Sequence, residues 1–286
     1  MNFGSRILFI DDLDVARMRL SDVGQRVLRG PVERVRDAVY EQLHRQSWDV
    51  VNYRSFSQWA TDKVTPNGTK WIVLDPLFDV RRQESRCVRL RTSRGLDLTL
   101  APLRFEQPTC ELLRGETLGI IDDAAASGRT ITATLAFAAH LGLEVNEVVV
   151  CAASGRARDC IVKHSRSLRF LQFLPGDWTV AHMRDGFPFL PFSGRPTGQR
   201  IEIGQDRPPI ELRAPSSQFP GTPWWALSQN RNVRQALGES RREVYAVLSL
   251  ELGRPAQFSD LTTLGDDVGI YLEASHDTRP PKSIGQ

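Results

Sequence analysis

Cysteine is scarce in this chain. Only Cys87, Cys110, Cys151 and Cys160 occur in 286 residues, with no closely spaced pairs among them. That spacing excludes a paired-cysteine zinc site and offers no disulfide framework. Reduced thiols and a cytoplasmic location are therefore expected. Long apolar runs are also lacking. Ile7 to Ile10 follows Arg6 and stops at Asp11, too short for a secretory signal or a membrane span, so no membrane partner is expected. Neither charge dominates: 37 Lys and Arg face 34 Asp and Glu, a formal charge of +3 and a pI near 8.8. So mild a balance suits an anionic small ligand and does not point to nucleic acid. What remains, 41% hydrophobic and 25% charged, is the composition of a globular protein with a sizeable core. The length allows one large domain, or one domain with an appendage.

What is present is an alternation of strands and helices. Arg6 to Ile10 reads as a strand, followed by Asp11, Asp12 and Asp14. Such an acidic cluster either holds Mg²⁺ or supplies turn and helix-cap residues. Val32, Val35, Val39 and Leu43 recur at helical spacing between Pro31 and Gln46, which predicts an amphipathic helix with Pro31 in its first turn. A shorter helix around Ser55 to Lys63 ends before the Thr65-Pro66-Asn67-Gly68 turn signal. Trp71 to Leu74 is the next strand, closed by Asp75-Pro76.

The most informative stretch runs from Gly119 to Leu135. Leu118 to Ile121 has the length of a buried strand, with Asp122 and Asp123 at its end. Ala124, Ala125, Ala126, Ser127, Gly128, Arg129 and Thr130 then lead into a helix whose face is Ile131, Leu135, Ala138 and Leu141, with Gly142 as C-cap. Small residues at a helix N-terminus aim unpaired backbone N–H groups at one point, which suits a phosphate. Two carboxylates beside it repel a bare phosphate. They suit a ligand that carries hydroxyls next to its phosphate, as a ribose 5-phosphate does.

Ile120 to Thr130 resembles, position by position, the phosphoribosyl-pyrophosphate (PRPP) motif of the type I phosphoribosyltransferases: an apolar strand, two acids, small residues, Gly and Thr. The resemblance implies an α/β fold with a parallel-sheet core and helices on both faces; the last third, which has no counterpart in the resemblance, reads from its own pattern as a mainly helical C-terminal extension. The core would take residues 1–196, including an N-terminal helical part and a hood, and the extension residues 197–286. It implies PRPP bound with Mg²⁺, the 5-phosphate resting on Ala124 to Thr130 and the metal reaching the protein through PRPP alone. Asp122 and Asp123 would be the catalytic acids, facing the ribose hydroxyls and stabilising positive charge at the anomeric carbon. Transfer of the phosphoribosyl group to a nucleobase or similar nitrogen heterocycle, with release of pyrophosphate, needs positioning and electrostatics more than a protein nucleophile.

Other segments take meaning beside that resemblance. Arg81, Arg82, Arg86, Arg89, Arg91 and Arg94 form a basic stretch in which Val88 and Leu90 alternate with arginines, before a Ser93-Arg94-Gly95 turn and Leu96 to Leu100. This reads as a hairpin with one cationic face. The family places its mobile pyrophosphate flap here, and a solvated charged face accounts for the pattern equally well. The preceding loop, Asp75-Pro76-Leu77-Phe78-Asp79, has two acids and no Gly, where the family uses small or basic residues.

Glu147 to Cys151 and Leu168 to Leu174 are further strands. Ala152-Ala153-Ser154-Gly155-Arg156 nearly repeats Ala125 to Arg129, either as a second anion turn or as a tight strand-to-helix junction. Trp178, Phe187 and Phe189 lie in an aromatic segment that either stacks on the acceptor base, as the family's hood does, or fills the core. A helix from about Asn232 to Leu250, stopped by Gly253 and Pro255, dominates the last third. That third is read as an oligomerisation arm, a docking module for a protein partner, or part of a lid. Two alternatives to transfer stand beside it: a non-catalytic sensor of PRPP or a nucleotide, favoured by the acidic loop, and an effector subunit of a bacterial defence or toxin assembly.

Overall fold

A computed structural model describes residues 6–46, 48–64, 69–75, 77–78, 87–89, 115–165, 167–176, 178–187, 189–201, 210–265 and 270–271. Apolar runs of strand length alternate with amphipathic segments, and the result is two parallel sheets. The first has the order β2-β1-β8, from β1 (Arg6–Asp11), β2 (Asp49–Asn52) and β8 (Trp178–His182). The second has the order β4-β3-β5-β6-β7, from β3 (Lys70–Val73), β4 (Cys87–Arg89), β5 (Leu118–Ala125), β6 (Val145–Ser154) and β7 (Ser167–Leu174). A small third sheet joins β9 (Arg195–Ile201), β10 (Ile210–Ala214) and β11 (Ile270–Tyr271).

Successive side chains on a strand point to opposite faces, and the five-stranded sheet uses both. Ile72, Leu118, Ile120, Val148 and Val150 pack on one side against Ile131, Leu135 and Ala138 of α5 (Arg129–His140) and Ala157 and Ile161 of α6 (Gly155–Ile161). Trp71, Val73, Ile121, Val149 and Cys151 face the other side. There they share a core with Tyr53, Phe56 and Ala60 of α4 (Tyr53–Val64) and with the whole of the first sheet. The fold is thus α/β with helices on both faces, as the strand–helix alternation implies.

The helical C-terminal region closes this second core. Helix α3 (Arg29–Gln46) buries Val32, Val35, Val39 and Leu43, the face read from the sequence. Helix α8 (Arg231–Leu252) packs along it, starting at Asn230, whose side chain accepts from the Asn232 and Val233 N–H groups, and ending at Gly253 with φ 64°. Ser240 Oγ donates to the Pro31 carbonyl at 3.1 Å, and Arg34 pairs with Glu239 and Glu243 at 3.4 and 2.6 Å. Ahead of α8, α7 (Pro223–Ser228) drops Trp224 into the core against Phe9. Helices α7 and α8 are therefore built into the same apolar core as β1. Among the described residues, no helix is long and apolar enough to cross a membrane.

The strand order decides where a ligand site can lie. The chain passes from β3 outward to β4, then returns to β5 on the other side of β3 and continues to β6 and β7. The order reverses between β3 and β5, and in an open parallel sheet the crevice outside the carboxyl ends at such a reversal is the natural binding place.

Candidate functional site

Asp75 follows β3, and Asp122 and Asp123 lie near the end of β5, so three carboxylates stand at that reversal. Strand β5 continues to Ala125, because Ala124 and Ala125 pair with Ala152 and Ala153 of an equally extended β6. The connecting loop is then only Ala126, Ser127 and Gly128. Gly128 takes φ 72° as the residue before α5, and a Cβ there would lie 3.2 Å from both Cα and O of Ala157. Glycine suits both that conformation and that approach, and a side chain would be strained and crowded there. Ser154 Oγ donates to the Ala126 carbonyl and also accepts from the Ala157 N–H at 3.0 Å. The second small-residue turn is thus a capped strand-to-helix junction that pins the first. Ser127 and Thr130 are half-buried, Arg129 is exposed, and no acid stands in the first turn of α5.

Asp122 and Asp123 are both buried, at 4% exposure each. Asp122 Oδ1 accepts from the Asp123 N–H at 3.1 Å. Asp123 Oδ2 lies 3.3 Å from His182 Nε2 and 3.8 Å from Arg184 Nη2. These partners come from the other sheet: His182 ends β8, and Arg184 sits on the short 3-10 turn Met183–Gly186.

Asp12, fully buried just past β1, holds the far side of this bridge. Its carboxylate lies 2.9 Å from His182 Nδ1, accepts from the Arg184 N–H at 2.9 Å, and is paired with Arg184 Nη1. Burial pushes the Asp12 carboxyl up, but Arg184 and His182 outweigh it and hold it below the usual range. His182 faces a carboxylate at each ring nitrogen, and carboxylates only accept, so this arrangement favours the form with a proton on both nitrogens. Burial and Arg184 oppose that charge, but Asp123 and Asp12 prevail and the imidazole pKa is raised.

Asp75 completes the crevice. It is 1% exposed, accepts from the Leu77 N–H at 2.9 Å and takes the Tyr53 hydroxyl proton into a hydrogen bond. Burial first, then the charge of Asp123, raise its carboxyl to about 6, against the pull of Arg184 and its two hydrogen bonds. The Cys151 thiol, buried beneath, is pushed up by burial and by Asp123 and Asp75. Asp11 and Asp14 turn away from this centre: Asp11 accepts from Tyr40 at 2.9 Å, and Arg36 pairs with both acids at 3.5 and 2.9 Å. Among the described residues, no group of three or more His, Cys, Asp or Glu side chains is arranged to hold a metal ion.

The aromatic segment packs inward. Trp178 donates through Nε1 to the Pro175 carbonyl at 2.9 Å, Phe187 is fully buried edge-on to Phe189, and Phe189 meets Tyr245. Arg81, Arg82, Arg86 and Arg91 lie outside the described residues, and of Arg89 only its backbone in β4, parallel to β3, is described. Sequence reasoning did not single out Tyr53 or Arg184, and counted His182 only among the side chains of the aromatic segment. One available signal was a histidine at the end of a strand and an arginine two residues on, where a parallel sheet opens.

No protein-family model matches the chain, and no curated protein matches it in sequence. Solved structures do match. The adenine phosphoribosyltransferase from Thermoanaerobacter pseudethanolicus aligns over 43% of this chain and 80% of that one, at 16% identity and a TM-score of 0.34. The purine phosphoribosyltransferase from Pyrococcus horikoshii aligns over 48% and 90%, at 12% identity and a TM-score of 0.32.

Proposed function

We propose that the chain binds a 5-phosphorylated pentose of the PRPP type where β5 meets α5, and transfers its phosphoribosyl group to a nitrogen heterocycle with release of pyrophosphate. One observation carries the reading: the motif strand, its two acids, the left-handed Gly128 and the start of α5 all fall at the carboxyl edge where the strand order reverses. The 5-phosphate would rest on the N–H groups of the first turn of α5, beside the Ser127 and Thr130 hydroxyls. The acids of β5 would then stand beside the ribose. Mg²⁺ would accompany the pyrophosphate and neutralise it as a leaving group. A metal carried by the ligand suits these residues, since Asp12, Asp75 and Asp123 already engage Tyr53, His182, Arg184 and backbone N–H groups.

Binding of PRPP with Mg²⁺, and of ribose 5-phosphate, is measured by isothermal titration calorimetry. Thr130→Glu places an acid in a first turn that has none, which favours the helix and repels phosphate. Binding to the wild type and its loss in Thr130→Glu support the reading; no heat with either ligand removes it.

A second reading, binding without turnover, is favoured by Asp75. Directly after β3 stands a buried carboxylate held by Tyr53 and the Leu77 N–H, a poor neighbour for a pyrophosphate. Pyrophosphate released from PRPP across a panel of nucleobases favours transfer, and binding without release favours a sensor.

A further inference from the structure

The His182–Arg184 segment belongs to one sheet, yet its cationic groups reach an acid of the other. Asp12 grips the segment from below through its backbone N–H, its guanidinium and its imidazole. From the C-terminal third, Trp224 Nε1 donates to the His182 carbonyl at 2.6 Å. A turn held on both sides presents His182 Nε2 to Asp123 with little freedom to move. Arg184 also keeps Nε buried without a hydrogen-bond partner, a donor that burial makes costly to leave idle.

We infer that His182 and Arg184 are positioning residues of the ligand site, orienting the Asp123 carboxylate and offsetting its charge beside a phosphorylated ligand. The inference rests on the proposed function and deepens it: the site is built from both sheets, and its motif acid is set by a turn 59 residues further along the chain. Asp75 and Asp123 together make the crevice negative, and the two cations are what let an anionic ligand approach. The groups facing His182 are Asp12, Asp123 and Arg184, with Asp75, Tyr53 and Cys151 behind Asp123. Loss of the imidazolium leaves those carboxylates less opposed. Affinity for a phosphate that is already doubly ionised should therefore fall as pH rises past the ordinary imidazole range.

The two amide replacements of His182 separate positioning from simple packing. Asparagine carries its donor near the Nδ1 position and keeps the Asp12 contact; glutamine reaches the Nε2 position and keeps the contact to Asp123. Ribose 5-phosphate affinity is measured for both by calorimetry, with circular dichroism to check folding. His182→Asn should bind about tenfold more weakly than His182→Gln, and both should flatten the pH dependence of the wild type. Equal affinities for the two variants overturn the inference and leave the proposed function standing. Absence of ribose 5-phosphate and PRPP binding in the wild type removes both together.

Should an amide variant fail to fold, histidine-labelled wild-type protein gives the answer by nuclear magnetic resonance, with only five histidines to assign. Saturation with ribose 5-phosphate should move the His182 ring signals, and their staying fixed in a saturated sample overturns the inference.

Discussion

Trp224 packs directly against Gly186: a Cβ on that glycine would lie 2.1 Å from the indole ring, where no side chain fits. The same indole donates to the His182 carbonyl. One residue of the C-terminal third thus fixes the two ends of the turn that carries Arg184.

Gly186→Ala should destabilise the protein by about 1–3 kcal/mol, the usual cost of overpacking. Trp224→Ala should cost about 3–5 kcal/mol by emptying the same space. Urea denaturation followed by circular dichroism checks both. An unchanged midpoint for Gly186→Ala would show that the turn can move away from the ring.

Asp12→Asn should be among the most damaging changes, costing about 3–5 kcal/mol, because it leaves a buried guanidinium and imidazolium poorly opposed. Adding Arg184→Met should recover part of the loss. A double variant as unstable as the sum of the two single variants would mean that the charges do not interact.

Asp75 makes stability depend on pH. Its folded pKa of about 6 lies above the value of about 3.9 in an unfolded chain, so the folded state binds the proton more tightly. This contribution is complete below about pH 4 and is lost as pH rises through about 6. Asp75→Asn should remove that slope and raise stability at pH 8 by on the order of 2–3 kcal/mol. Chemical denaturation at pH 4, 6 and 8 tests it, and parallel profiles for variant and wild type would contradict it.

Gly128→Ala should lose about 1–2 kcal/mol from the positive φ and the approach to Ala157. It should also weaken ribose 5-phosphate more than Gly142→Ala does, whose glycine has a similar φ of 71° but open space around it. Equal effects at the two glycines would place Gly128 outside the ligand loop.

Much of this architecture was legible in the sequence because it is local. The Val32, Val35, Val39 and Leu43 stripe foretold α3, Gly253 foretold the end of α8, and the mixed chemistry of Ile120 to Thr130 foretold a strand, a tight turn and a helix. The length of β5 was not, because Ala124 and Ala125 are held in the strand by pairing with β6, a contact that no local preference reveals. The His182 bridge was beyond reach for a similar reason. Its partner Asp12 lies 170 residues away, and neither the acidic cluster after β1 nor the end of β8 shows locally that the two meet. Burial of Phe189 was likewise a matter of which helix would cover it, since its ring meets Tyr245 on α8.

The pairing of α3 with α8 carries a consequence for synthesis. Ser240 closes onto Pro31 across 209 residues, and contacts at such separation are costly to close and slow to form. On the ribosome the five-stranded sheet is complete by Leu174, while the face of α3 waits for α8 to emerge. The apolar stripe of α3, like Phe9 beneath Trp224, then stays incompletely covered until the last third of the chain has been made.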